Sequence, residues 1–180
     1  MKTKLFFLLS IFIVLSCKTV VPVDYTKYEV EALDQGIQGT VLMKVYSYDK
    51  SVKNAIERAK MNAVQAVLFK GIPGSNISKP MVKDGRMAHE EYFNKFFGLY
   101  KVNKKLRRRD RNKDAIDFSR LFNAPYRSYV QVSNDGSLAP GDRVKVGNSY
   151  KVGVEVSVNH AQLRKKLEED GVINGINSGF

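Results

Sequence analysis

The stretch from Ser51 to Phe69 (SVKNAIERAKMNAVQAVLF) limits what this chain can become more than any other part of it. Val52, Ala55, Ile56, Ala59, Ala63, Ala66 and Val67 recur at steps of three and four residues, which is the spacing of one face of an α-helix. Lys53, Glu57, Arg58, Lys60, Asn62 and Gln65 populate the rest of the surface. Ala55, Ala59, Ala63 and Ala66 leave little bulk along the apolar stripe, so the helix axis can lie close against a neighbouring layer. Asp49 or Ser51 can cap its start, and Gly71 with Pro73-Gly74 ends it. An apolar stripe of this kind must be covered, and the flanking sequence supplies strands to cover it.

Ile37 to Tyr48 alternates, with Val41, Met43 and Val45 on one face and Thr40, Leu42, Lys44 and Tyr46 on the other. Tyr126 to Ser133 reads as a second strand running into the turn signal Asn134-Asp135-Gly136. Arg143 to Val146 and Ser149 to Val158 follow, the latter placing Tyr150, Val152, Val154, Val156 and Val158 on one side. Residues 71–85 read as a loop. A helix is expected from Met87 to Tyr100, with Tyr92, Phe93, Phe96, Phe97 and Tyr100 in an aromatic stripe that belongs in the core. A short helix is expected over residues 114–122, and a final amphipathic one after Asn159, using Ala161, Leu163 and Leu167 and ending at Gly171. The predicted fold class is α+β: a small antiparallel sheet, the long Ala-rich helix on one face, and an inserted aromatic and basic helical segment. No repeat emerges at any period.

The N-terminus carries an address. Lys2 and Lys4 precede an apolar run from Leu5 to Leu15, broken only by Ser10. That run is too short for the roughly 20 residues of a membrane-spanning helix and fits the apolar region of an export signal. Val14-Leu15-Ser16-Cys17 resembles the bacterial lipobox, with valine where leucine is usual. The resemblance implies cleavage before Cys17, acylation of its thiol and new amino group, and stable anchoring by two or three acyl chains. The expected organisation is a signal peptide over residues 1–16, the lipidated Cys17 and a tether over 17–36, one domain over 37–172 and a flexible tail over 173–180. Lys18 is not the aspartate that retains enteric lipoproteins at the inner membrane, so the expected place is the outer membrane, facing the periplasm.

Cys17 is the only cysteine of the 180 residues. Once lipidated, it leaves no thiol for a disulfide, a thiolate metal site or a nucleophile, and an apolar content of 43% has to hold the domain together. The chain carries 30 Lys and Arg against 18 Asp and Glu. In an envelope compartment such charge points to anionic lipid, lipopolysaccharide, peptidoglycan or acidic protein rather than to nucleic acid. The densest stretch, Lys101 to Lys113, holds eight basic residues and one acidic one. Lys104, Lys105, Arg107, Arg108, Arg109 and Arg111 are its candidate contacts for an anionic partner. Each such residue near an anionic membrane contributes roughly 1 kcal/mol. An exposed loop whose charges are merely solvated explains the same residues.

The lipobox, the strand Gln38 to Tyr46 leading into the Ala55-Ala59-Ala63-Ala66 helix, and the later strand Ser149 to Val158 together resemble a known group. These are small bacterial envelope lipoproteins of the LPP20-like type and the N-terminal domain of flagellar assembly protein T. The resemblance covers about half of the mature chain, and the segment from Met87 to Phe122 has no counterpart in it. It implies a non-enzymatic scaffolding or binding part of an envelope structure.

Motifs for catalysis or cofactors are not recognisable. His89-Glu90-Glu91 would need a histidine at position 93 to form HExxH, and Phe93 stands there. Acidic residues at a helix start are explained by the helix dipole. Gly71-x-x-Gly74-Ser75 lacks the Gly-Lys-Ser/Thr of a phosphate loop, and no Gly-x-Ser-x-Gly occurs. His160, at the start of the last helix, has no partner nameable from sequence. The expectation is therefore a non-enzymatic, lipid-anchored envelope protein that works through a basic surface, without cofactor or metal. A binder of lipopolysaccharide or peptidoglycan is the alternative.

Overall fold

The structure, a computed structural model, describes residues 27–33, 36–99 and 123–175. Cys17, the export signal, Tyr100, the basic stretch 101–113 and the short helix expected at 114–122 lie outside the described residues. The fold is α+β. Its strands are β1 (Glu29–Ala32), β2 (Val41–Asp49), β3 (Val130–Val132), β4 (Arg143–Val146) and β5 (Ser149–Val158). Its α-helices are α1 (Val52–Gln65), α2 (Glu90–Phe96) and α3 (His160–Glu169).

All strand pairs are antiparallel. β2 and β5 form the spine, pairing along their whole length from Val41 with Val158 to Asp49 with Tyr150. β1 lies on the far side of β2. The far side of β5 is shared, with β3 on its C-terminal part and β4 on its N-terminal part. Alternation sets the faces: Val41, Met43, Val45, Val152, Val154, Val156 and Val158 are buried under α1. On the open face Tyr46 sits directly across from Gly153, and a Cβ at Gly153 would come within 2.9 Å of the tyrosine ring and 2.8 Å of Asp142 Oδ1. Gly153 therefore gives the room in which Tyr46 and Asp142 close over the strand.

α1 begins as the capping chemistry demands, with Ser51 Oγ accepting from the Asn54 amide at 3.2 Å. After Gln65 the backbone widens into one π-helical turn, Ala66–Lys70, and Gly71 ends it at φ +76°. A Cβ at Gly71 would meet the Ser78 carbonyl oxygen at 2.4 Å, so only glycine fits there. The carbonyls of Val67 and Leu68 accept the amides of Met81 and Val82 at 3.2 and 2.9 Å, which ties the loop to the helix end.

The alanine stripe is buried as expected, but so are Glu57, Arg58 and Asn62, which the sequence placed on the open side of the helix. Arg58 and Asn62 are buried because they meet Asp49 and Ser47 of β2, and Glu57 because it meets Arg127. The aromatic segment packs against the π-helical turn that follows α1: Phe93, Phe96 and Phe97 are buried, and Phe69 meets Phe93 edge-on at 4.8 Å. The aromatic stripe is thus core over Phe93 to Phe97, with Tyr92 half-buried at its rim.

Several boundaries differ from the sequence reading. Residues 36–40 form a turn before β2, with the Thr40 amide bonded to the Ile37 carbonyl at 2.8 Å. Ile37 is consequently 85% exposed. Glu29–Ala32, inside the segment read as a tether, is a strand because β2 offers it a paired edge. Residues 125–129 form a 3-10 turn started by Pro125, so only Val130–Val132 remains as strand. The second helix opens with a 3-10 turn at Arg86–His89. α3 buries Leu163 and Leu167, while Ala161 is exposed. The Tyr92 hydroxyl donates to Asp170 Oδ2 at 2.6 Å and Lys166 donates to Oδ1 at 2.7 Å, joining α2 to the end of α3.

Candidate functional site

Most of the buried charge is structural. Asp49 closes β2 and Arg58 lies in the second turn of α1; their side chains pair at 2.8 Å, 7% and 6% exposed. Asn62 donates to Ser47 Oγ at 2.9 Å one turn further on. Glu57 is gripped by Lys60 at 2.8 Å and by Arg127, so the 3-10 turn is bound to α1. Burial alone would push the Glu57 carboxyl up, but the hydrogen bonds from Lys60 and Arg127 prevail and hold it below its ordinary value. Tyr126 is fully buried beside them, and burial pushes its hydroxyl up to about 12.

Two concavities carry unusual charge. The smaller, about 540 Å³, lies against α1 and β3, with Val52, Ile56, Val130 and Val132 as an apolar floor and Lys53, Lys60 and Arg127 at its sides. Its cations are partly committed, since Lys60 and Arg127 hold Glu57.

The larger, about 890 Å³, runs between the 76–84 loop, the start of the α2 segment, the first half of α3 and residues 171–174. Lys79, Lys83, His89, His160 and Arg164 line it, against one carboxylate, Asp84. Asp84 is engaged by His89, Nε2 to Oδ2, at 2.9 Å. Arg164 Nε stands 2.9 Å from Glu168 Oε1, an i,i+4 pair outside the groove lining. His160 Nε2 is shielded from solvent, and among the described residues nothing hydrogen-bonds it. Burial holds this imidazole below its ordinary pKa. The chain has two histidines, and both face this groove.

The placement answers the sequence expectations only in part. His89, read as a helix-start residue, is hydrogen-bonded to Asp84, and among the described residues no group of three or more His, Cys, Asp or Glu is placed to hold a metal. Lys104, Lys105, Arg107, Arg108, Arg109 and Arg111 lie outside the described residues. The groove itself was not found from sequence, because Lys79 and Lys83 are about 80 positions from His160 and Arg164 and no linear pattern joins them. Among the described residues no helix is long and apolar enough to cross a membrane. No family model matches the chain, and comparison with curated proteins and with solved structures finds no significant match.

Proposed function

We propose that the chain is a lipid-anchored protein of the bacterial cell envelope, without enzymatic activity, that serves as a structural, assembly or interaction component through a basic surface. The observation that carries this reading is the N-terminal order of Lys2 and Lys4, the apolar run Leu5 to Leu15, and Ser16-Cys17. Cys17 is the membrane anchor, the outer membrane is its address, and the domain faces the periplasm. The order of strand, Ala-spaced helix and antiparallel strands supports kinship with the LPP20-like and flagellar assembly protein T group. The titratable groups at the heart of the domain are joined in structural pairs, which supports a binding rather than a catalytic role.

The test is an intact mass of the native product purified from membranes. It should show residues 1–16 removed and a diacylglycerol with a further acyl chain on Cys17. Cys17→Ala should move the protein out of the membrane fraction. An unmodified thiol or a retained initiator end on the wild-type product refutes the anchor.

A second reading has its own observation, the preponderance of cations in the larger groove. It makes the protein a binder of lipopolysaccharide or peptidoglycan, helped by Lys104 to Arg111. Binding to isolated envelope polymer should then weaken steeply with added salt. Salt-insensitive capture of a protein partner would favour the scaffold instead.

A further inference from the structure

We propose that the groove between the 76–84 loop and α3 is a binding site for a phosphate group carried on a small-molecule body, held by Lys79, Lys83, Arg164 and the two histidines. The inference adds a site and a ligand class to the function proposed above. It requires neither Cys17 nor the stretch 104–111, so the two can fail separately.

Three observations converge on it. The first is charge: Lys79, Lys83 and Arg164 are permanently cationic, and the single lining carboxylate, Asp84, is already occupied by His89. A phosphate monoester brings about −1.5 to −2 charge and three acceptor oxygens. The lining answers with donors: two ammonium groups, a guanidinium suited to forked contact with oxyanions, and imidazole N–H.

The second observation is the state of His160. Its Nε2 is a buried polar atom with no partner among the described residues, and leaving such an atom unsatisfied costs about 1–3 kcal/mol. Nε2 is closed off as the groove stands, so a ligand oxygen accepts from Nε2–H only once the ring turns toward the opening.

The third is size and composition. At about 890 Å³ the groove lies within the range of small-molecule sites and is far larger than a bare anion needs. Ile77, Met81 and Val172 supply apolar lining beside the cations. The ligand is therefore a phosphate with a body attached: a soluble monoester brings the higher charge and three free oxygens, and a phospholipid diester headgroup brings one charge and two free oxygens to the same donors.

The two histidines make the test direct, because both report from the groove. Full-length protein in an uncharged detergent is titrated with inorganic phosphate, glycerol 3-phosphate, short-chain phosphatidylglycerol and, as control, acetate, while the two imidazole Hε1 signals are followed by proton NMR. Saturable shifts of both signals with the phosphates, and not with acetate, are expected. Lys79→Ala/Lys83→Ala should weaken the midpoint by about tenfold. Both side chains are exposed, and unchanged circular dichroism will show the fold intact. Alanine changes across Lys104 to Arg111 should leave the midpoint alone. A midpoint about tenfold tighter for glycerol 3-phosphate than for inorganic phosphate and phosphatidylglycerol assigns a soluble ester, one about tenfold tighter for phosphatidylglycerol assigns a lipid headgroup, and inorganic phosphate binding as tightly as both overturns the attached body. Unmoved histidine signals, acetate acting as well as phosphate, or a double variant that binds like wild type would each overturn the site.

Discussion

The seam between α1 and the sheet and the groove beside α3 are both rich in charge, yet they use it in opposite ways. In the seam and at the 3-10 turn beside it the buried charges face counter-charges at contact distance: Arg58 meets Asp49, and Glu57 meets Lys60 and Arg127. In the groove Lys79 and Lys83 stand exposed and, among the described residues, meet no carboxylate, and Arg164 shares its charge with a residue outside the lining. Paired charge in a dry layer fixes how the elements dock, and removing one partner strands the other. Unpaired cations on a loop leave the fold almost indifferent and remain available to something else.

That contrast can be broken by mutation. The largest effect should come from Arg58→Ala, which leaves Asp49 buried without its counter-charge. A loss of about 3–5 kcal/mol is expected in the denaturant midpoint, and a loss under about 1 kcal/mol would mean the seam is not sealed as described. Next is Ala59→Leu on the fully buried stripe, where extra bulk should cost about 1–3 kcal/mol if the helix lies close to the sheet.

Acid should act on the seam as well. The Glu57 carboxyl is lowered from 4.5 in the folded state, so its contribution is complete above pH 4.5 and disappears as pH falls through the lower folded value. Arg127→Met removes one of the two stabilising cations, and acid unfolding followed by circular dichroism should then begin at higher pH than in wild type. The smallest effect belongs to the groove: Lys79→Ala/Lys83→Ala should shift thermal unfolding by no more than about 0.5 kcal/mol, measured by calorimetry. A large loss there would make these lysines structural and erase the distinction.

The sequence showed the seam far better than the groove. The alternation of Val41, Met43 and Val45 and of Val152 to Val158 specified which strand faces are buried, because a period of two admits one assignment. The alanine stripe specified the helix and its partner. What misled was polarity: Glu57, Arg58 and Asn62 read as solvent-facing, although Arg58 and Asn62 find polar partners on the covered face of β2 and Glu57 finds one in Arg127. Glu29–Ala32 was hidden because a four-residue edge strand carries too little pattern to be separated from a tether. Pro125 shortened the strand expected at Tyr126 by favouring a tight turn. The groove could not be read at all, since its walls come from two distant parts of the chain that only the docking of α3 brings together.

The widened turn at the end of α1 has a consequence for that groove. Because the Val67 and Leu68 carbonyls hold the Met81 and Val82 amides, two adjacent backbone protons are locked between the exposed residues Lys79 and Lys83. They should exchange with deuterated solvent far more slowly than their neighbours. Lys79 and Lys83 flank this pinned pair, so each ammonium swings on a stem whose root is stationary.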